Sequence, residues 1–238
     1  TSWKNLRKVF FKLLDISKPV LFEKSMIIDV KDLKKIRSNK NYKNIKKNFS
    51  FAYNRNYYDY MPKLMTILRK QKLIFGDACI FDPYKSINDS KGIGSKYLPI
   101  YITSHWVTFI LKLFDLGNFK IRNKQLLILN KNRNYKKIKF ELIKNKKKIF
   151  FDLSNLPNLP KNHQINFYFE DMILKISPFE RIRLYKELHK KKINGLNVYK
   201  SKQEIFNVNQ KFKPGFRFQY YDFVLSKFKK KKLYCLQI

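Results

Sequence analysis

One long apolar run, from Lys96 to Val107 and on to Phe114, is not interrupted by the lysine and asparagine that fill the rest of the chain. It follows a glycine-bearing turn at residues 91–95. In its first part Tyr97 and Tyr101 alternate with aliphatic residues. Alternation of aromatic and β-branched residues after a glycine turn predicts a buried strand. We therefore expect the fold to be built around a strand that begins at Lys96.

The same run is a poor candidate for a membrane-spanning helix. A spanning helix needs about 20 consecutive apolar residues. Here only the 15 residues from Tyr97 to Leu111 lack a formal charge, and they include Pro99, Thr103, Ser104 and His105. We therefore predict no membrane insertion.

Net charge constrains the class of partner. The chain has 53 Lys and Arg against 17 Asp and Glu, a formal charge of +36. Such a charge repels itself and favours a polyanionic partner. Nucleic acid is the natural candidate, because each neutralised phosphate releases condensed counterions. An A+T-rich genome would also raise the lysine content, but it does not by itself demand this net charge.

Residues that carry catalysis or bind metals are sparse. Cys79 and Cys235 lie far apart without a CxxC spacing, and the three histidines are scattered. The pair Gly92 and Gly94 lacks the third glycine of a phosphate-binding loop. We therefore predict no cofactor, no metal and no enzymatic activity. The N-terminus has no signal-peptide core.

Several secondary-structure elements follow from the patterning. Apolar residues at three- and four-residue spacing predict a helix over residues 1–16. Ser177-Pro178-Phe179-Glu180 has the form of a capping box, which predicts a helix running to Leu188. Further elements are predicted as a short helix at 29–33, strands at 73–81, 135–143 and 149–153, and an aromatic run at 216–224.

Lysine clusters are candidate phosphate contacts. Lys146, Lys147 and Lys148 lie at the tip of the hairpin predicted between residues 135 and 153, and Lys230 lies in the basic run near the C-terminus. Such side chains suit contacts to a phosphate backbone. A solvated turn is the alternative for the hairpin tip, and both interpretations stay open here.

The residues from Lys96 to Thr103 also carry a family resemblance. Their order of Lys, Tyr, Leu, Pro, Ile, Tyr, Ile and Thr resembles the central segment of the bacterial-type small-subunit ribosomal protein S-nineteen family. Residues 1–4 are similar to that family's opening, and residues 55–63 to its arginine…proline element. The resemblance covers roughly residues 1–119. It departs from the family at residues 108–110, where the family has glycine-histidine-lysine.

This resemblance implies a structural protein in the head of the small ribosomal subunit. It implies binding to small-subunit rRNA, a neighbouring S-thirteen-like protein and proximity to the A-site tRNA. Of the positions that match the family, Lys4, Arg55 and Lys96 are the expected phosphate contacts. The remaining matches, expected to shape the fold, are Trp3, Pro62, Pro99 and Tyr101. The biased composition suits a mitochondrial ribosome, so a mitochondrial location is expected.

The predicted fold class is α+β, with an N-terminal helix, a small antiparallel sheet and a long basic C-terminal extension of mixed α/β structure. The predicted domains are residues 1–119, with a basic insertion near 24–54, and residues 120–238. Alternative functions are an RNA-processing or intron-splicing factor and a basic membrane-associated subunit.

Overall fold

The computed structural model describes residues 3–24, 26–27, 29–81, 98–114, 117–130, 135–154, 162–194, 196–208 and 214–228. Its Cα positions divide the chain into two compact units. The first unit comprises Thr1–Met61, Tyr84–Lys112 and Asn209–Ile238, and the second comprises Pro62–Pro83 and Leu113–Val208. The domain boundary predicted near residue 119 rests on a change in sequence composition, and it stays a prediction.

The first unit is mainly helical. It contains two short parallel strands, β1 and β2, which pair from Val20 opposite Phe49 to Glu23 opposite Ala52. Its elements are α1 (Trp3–Lys12), β1 (Val20–Glu23), α2 (Val30–Arg37), α3 (Tyr42–Asn48), β2 (Phe49–Ala52), a 3₁₀ helix (Asn54–Tyr57), most of α5 (Leu98–Phe114) and α6 (Phe216–Phe228).

An aromatic cluster forms the core of this unit. The helix predicted at the N-terminus is confirmed as α1, and its Phe10 lies 5.2 Å from Phe22 and 6.0 Å from Phe49, measured between ring centroids. Burial of such large rings is the main stabilising contribution that a small core can offer. The other buried members of the cluster are Leu14, Met26, Ile36 and Ile45.

The strand predicted from Lys96 is wrong, because residues from Leu98 onward form the helix α5. Its buried residues recur at helical spacing, and they are Trp106, Phe109, Ile110, Leu113 and Phe114. Pro99 lies in the first turn, where a missing N–H costs no helical hydrogen bond. In a segment with so many apolar residues, apolar positions recur with both a two-residue and a 3.6-residue period. The alternation therefore did not distinguish a strand from a helix. Among the described residues, no helix is both long and apolar enough to cross a membrane.

The second unit is built on an eight-stranded mixed sheet. The strand order is β10-β9-β8-β7-β3-β6-β5-β4, and all neighbours are antiparallel except β3 and β6. The unit also holds most of α4 (Met61–Lys70). The strands are β3 (Leu73–Phe81), β4 (Lys120–Asn130), β5 (Tyr135–Lys144), β6 (Lys147–Ser154), β7 (Asn162–Phe169), β8 (Met172–Ile176), β9 (Arg181–Ile193) and β10 (Leu196–Asn207).

The side chains of strand β3 alternate between the two faces of this sheet. Ala78 and Ile80 are buried on one face, whereas Asp77 and Cys79 alternate with them and are only half-buried on the other. Gly76 continues the buried series, since a Cβ atom there would lie 2.7 Å from the ring of Phe167. The central strand therefore presents an apolar face to the core and a polar face to solvent.

The helix predicted from Ser177 is also wrong, because residues 181–193 form strand β9. The amide of Arg181 donates to the carbonyl of Pro178 at 2.9 Å, so the proline segment is a turn between β8 and β9. Ile182 and Leu184 are buried and alternate with exposed or half-buried neighbours. That two-residue period outweighs the threefold spacing on which the helix prediction rested.

Other predicted elements agree with the structure. Strand β3 and the hairpin of β5 and β6 lie where they were predicted, and Asp29 caps a short helix, α2. The fold class is nevertheless wrong, because the chain contains a large eight-stranded mixed sheet in place of a small antiparallel one. The part predicted to be an extension supplies seven of the eight strands of that sheet, β4 to β10.

Candidate functional site

A groove of about 480 Å³ lies on the polar face of the sheet in the second unit. Strand pairing fixes one row of residues along it: Cys79 pairs with Asp152, Asp152 with Lys139, and Lys139 with Gln125. Side chains at directly opposed positions of neighbouring strands share one face of a sheet. The row therefore brings a thiol, a carboxylate, an ammonium and an amide together from β3, β6, β5 and β4.

Asp152 is the central charged group of the groove. Its Oδ2 accepts a hydrogen bond from the Lys137 ammonium at 2.9 Å, and both side chains are less than one-third exposed. Its Oδ1 is buried and accepts no hydrogen bond from any residue that the structure describes. A buried acceptor without a donor costs free energy. The exposed oxygen of the Asp152 carboxylate can accept a second hydrogen bond beside Lys137.

Asp77 stands in the neighbouring row and has its own donors. Its Oδ2 accepts a hydrogen bond from the Asn166 amide at 2.9 Å. Burial raises the pKa of the Tyr168 hydroxyl, and the charge of Asp77 and a hydrogen bond to it raise this pKa further. Tyr168 therefore remains protonated near neutral pH and donates to Asp77.

Cys79 lies between these two carboxylates. Burial raises the pKa of its thiol, Asp152 and Asp77 raise it further, and Lys137 opposes them. The thiol is therefore neutral near physiological pH, which does not favour a role as a nucleophile. In this groove Cys79 serves as a small, weakly polar part of the wall.

A β-bulge shapes the outer edge of the groove. The register of β4 against β5 shifts between Arg122 and Gln125, and Asn123 within the bulge has φ 50°. Bulges turn side chains out of the regular pleat. Here the Asn123 amide donates to Glu141 Oε1 at 2.7 Å. Phe150, which is 41% exposed, supplies an apolar surface on the groove wall.

Sequence reasoning missed this groove. The available signal was the placement of Asp77 and Asp152 at alternate positions of otherwise apolar strands, in a chain with few acids. The pairing that brings Asp152 beside Cys79 joins residues far apart in sequence. No local pattern encodes it. Among the described residues, no three His, Cys, Asp or Glu side chains are grouped so that they could hold a metal ion.

The residues predicted to contact phosphate are dispersed over both units. Lys4 is exposed on α1, and the guanidinium of Arg55 lies 4.6 Å from the Trp106 ring centroid within the first unit. The other described residues, exposed at the tip between β5 and β6, are Lys146, Lys147 and Lys148. Lys96 and Lys230 lie outside the described residues. Contact of these lysines and Arg55 with phosphate stays a prediction.

The whole chain resembles solved oxidoreductases in fold. It matches no protein-family model and none of the curated proteins. It is similar to UDP-N-acetylglucosamine 3-dehydrogenase GnnA from Acidithiobacillus ferrooxidans, with a TM-score of 0.70 and 9% identity over 99% of this chain and 71% of that chain. At this identity the likeness shows a shared fold.

Two further solved structures share the fold. A super-repressor mutant of Gal80p from Saccharomyces cerevisiae has a TM-score of 0.65 and 12% identity, covering 98% of this chain and 66% of its own. A Gfo/Idh/MocA family oxidoreductase from Vibrio cholerae has a TM-score of 0.60 and 7% identity, covering 98% of this chain and 69% of its own.

These findings overturn the ribosomal interpretation. The fold is that of oxidoreductases, and residues 98–103 form the first turns of a helix where the resemblance to S-nineteen required a strand. The predicted family, the structural role in the ribosome and the rRNA, S-thirteen-like and tRNA partners are therefore wrong.

The other predictions about function fare as follows. The splicing-factor and membrane-subunit alternatives fit this fold no better. The prediction of no enzymatic activity is contradicted by the fold, which this chain shares with a solved dehydrogenase and a solved oxidoreductase. The mitochondrial location stays a prediction.

The turn between β1 and α2 does not fit the pyrophosphate of a dinucleotide. Pyrophosphate binding to a βα turn needs glycines for close backbone approach and a free helix N-terminus. No glycine occurs between β1 and α2. Asp29 caps α2, and its Oδ1 accepts from the Asp32 amide at 2.8 Å. A carboxylate thus occupies the place where a pyrophosphate would bind, and the two would repel each other.

Proposed function

We propose that this chain is an oxidoreductase-fold protein that binds a small, uncharged, hydroxyl-rich molecule of the sugar class in the groove of the second unit. The observation that carries the proposal is the carboxylate of Asp152 in the groove, which is partly exposed and has one ion-pair partner, Lys137. A ligand hydroxyl would donate a further hydrogen bond to its exposed oxygen.

The chemistry of the groove favours hydroxyl groups over charged groups. The groove carries both signs of charge, because Lys137 and Lys139 accompany Asp77, Glu141 and Asp152, so neither a cation nor an anion meets charges of one sign alone. A neutral hydroxyl donates to the exposed oxygen of Asp152 without disturbing this balance. Gln125 and Asn123 add amide groups that can both donate and accept, as sugar hydroxyls require.

Size and wall composition agree with a ligand of this class. The groove volume falls within the range of about 300–1,000 Å³ that small-molecule sites occupy. The exposed ring of Phe150 offers an apolar face beside the polar row. An apolar wall with a few convergent polar groups is the usual composition of such a site.

The structural relatives support this proposal in two versions, an oxidoreductase and a regulator. GnnA is named as a dehydrogenase of a sugar nucleotide, which supports an oxidoreductase acting on a sugar-like substrate. Gal80p is described through a super-repressor mutant, which supports a regulator that carries the same fold. The carboxylate cap at Asp29 favours the regulator as the second candidate, because it opposes dinucleotide binding in the first unit.

Calorimetric titration with N-acetylglucosamine tests the proposal. We expect saturable binding to the wild-type chain and binding about tenfold or more weaker to Asp152→Asn, because the charge-assisted hydrogen bond to the ligand is lost. The matched control is Asp171→Asn, an exposed aspartate in the turn between β7 and β8. We expect this control to bind like wild type.

Two results would contradict the proposal: no saturable binding of the sugar, or equal affinity of the Asp152→Asn and wild-type chains. Tighter binding of L-tartrate than of the sugar would also exclude an uncharged ligand. The same titration with NAD⁺ present separates the two versions. Reduction of NAD⁺ by the bound sugar favours the dehydrogenase, and sugar binding without any effect of NAD⁺ favours the regulator.

A further inference from the structure

The hairpin of β9 and β10 continues past the end of the neighbouring strand. Strand β8 pairs with β9 only from Ile182 to Lys186. Beyond that point, within the described part of the chain, β9 and β10 pair with each other alone, as far as Ile193 opposite Leu196. We call residues 187–201 the ribbon arm. An isolated two-stranded ribbon is only marginally stable in water, so a binding partner would stabilise it.

A bulge marks the place where the ribbon arm leaves the sheet. Pairing moves from Lys186 opposite Lys202 to Leu188 opposite Ser201, so Glu187 is the extra residue. Its φ is 49°, in the left-handed region. A bulge of this kind bends a strand and increases its twist. The change in direction is therefore built into the hairpin.

Both faces of the ribbon arm carry lysines, and one of them also carries two exposed aliphatic side chains. The pairs Ile193–Leu196 and Lys191–Val198 share one face by the two-residue period, so that face carries apolar and basic groups together. Leu196 is 72% exposed and Ile193 is 38% exposed. Over its length the arm has four lysines and one glutamate.

We propose that the ribbon arm is a docking site for an acidic protein segment that also carries apolar side chains. Charge complementarity favours an acidic partner, because the arm is basic and lies in a chain of charge +36. The same charge disfavours a second copy of this chain. Exposed Leu196 and Ile193 beside Lys191 favour a protein, because aliphatic side chains gain nothing from a phosphate backbone.

Fluorescence anisotropy with defined probes tests the proposal on the full chain. The first probe is a labelled peptide in which glutamate alternates with leucine. The second has serine at every leucine and the same charge. The third is a uridine homopolymer of matched charge. The variants are Leu196→Ser and the triple charge reversal Lys190→Glu, Lys191→Glu and Lys192→Glu. The matched control reverses Lys146, Lys147 and Lys148 at the other hairpin tip, which changes the net charge equally.

We expect the leucine-containing peptide to bind about tenfold or more tightly than the serine peptide, because only the former buries apolar surface. We expect Leu196→Ser and the ribbon-arm reversal each to weaken that binding about tenfold, as truncation of a central contact does. The control reversal should weaken it about twofold at most, through long-range charge alone.

Three results would overturn the inference. Equal losses from the two charge reversals would show that only net charge matters. A loss of homopolymer binding that exceeds the loss of peptide binding would identify a nucleic-acid surface. If the wild-type chain dimerises in sedimentation experiments and Leu196→Ser abolishes the dimer, the occupant is a second copy of this chain. Far-UV circular dichroism of each variant establishes that the sheet is intact.

Discussion

Replacement of Gly215 by alanine is expected to destabilise the first unit. Among the described glycines, it is the one where an added methyl group meets the closest atom. Gly215 precedes α6 with φ 77°, a region that alanine avoids. An added Cβ would lie 1.9 Å from the carbonyl oxygen of Asn54, which belongs to the backbone and cannot rotate away. Backbone strain and overpacking each cost about 1–3 kcal/mol, so we expect a loss of about 2–6 kcal/mol.

Tryptophan fluorescence during urea denaturation measures this loss, because both tryptophans, Trp3 and Trp106, lie in the first unit. The matched control is Val30→Ala in the same unit, because Val30 is 65% exposed at the start of α2. The control should stay within about 0.5 kcal/mol of wild type, as exposed substitutions do. Equal stability of Gly215→Ala and Val30→Ala would contradict the arrangement of α6 against the 3₁₀ helix.

Phe167→Ala is expected to destabilise the second unit by about 3–5 kcal/mol, the usual cost of removing a fully buried ring. Phe167 is fully buried, and its ring centroid lies 4.7 Å from that of Phe114. The ring also lies directly over Gly76, which has no side chain to fill the space left behind. The cavity would therefore remain largely open.

Far-UV circular dichroism during urea denaturation reports on the sheet and measures this loss. The control is Ile173→Ala on the adjacent strand β8, because Ile173 is 42% exposed. Its loss should be about 1 kcal/mol or less, since little buried surface disappears. A loss for Phe167→Ala no larger than that of Ile173→Ala would contradict the placement of β7 at the centre of the core.

Elements with a single dominant period were predictable from the sequence. Strand β3 and the hairpin of β5 and β6 have apolar alternation that no other structure explains, and α1 has a clear helical stripe. The two elements that were predicted wrongly, α5 and β9, each contain apolar residues at both strand and helix spacing. From Trp106 to Phe114 every residue except Thr108 and Lys112 is apolar, and in β9 Ile182 and Leu184 alternate while Phe179, Ile182 and Tyr185 are three apart. Tertiary packing decides such segments.

The candidate site was less predictable than the fold. The groove depends on β3 pairing in parallel with β6, which places Cys79 beside Asp152 across 73 residues of sequence. Neither residue belongs to a recognisable local motif. High positive charge also drew attention to lysines, although the chemically distinctive positions are the few acids on the polar face of the sheet. The family resemblance failed because short matches are frequent in a chain with a restricted set of residue types.

Chemical-shift mapping by ¹H–¹⁵N NMR with N-acetylglucosamine locates the ligand within the second unit. We expect the backbone amides of Cys79, Lys139 and Asp152, from three adjacent strands, to shift together along one saturable curve. In Asp152→Asn the midpoint of this curve should move to a ligand concentration about tenfold higher or more. Shifts confined to the first unit, or absent from all three strands, would contradict a ligand site in this groove.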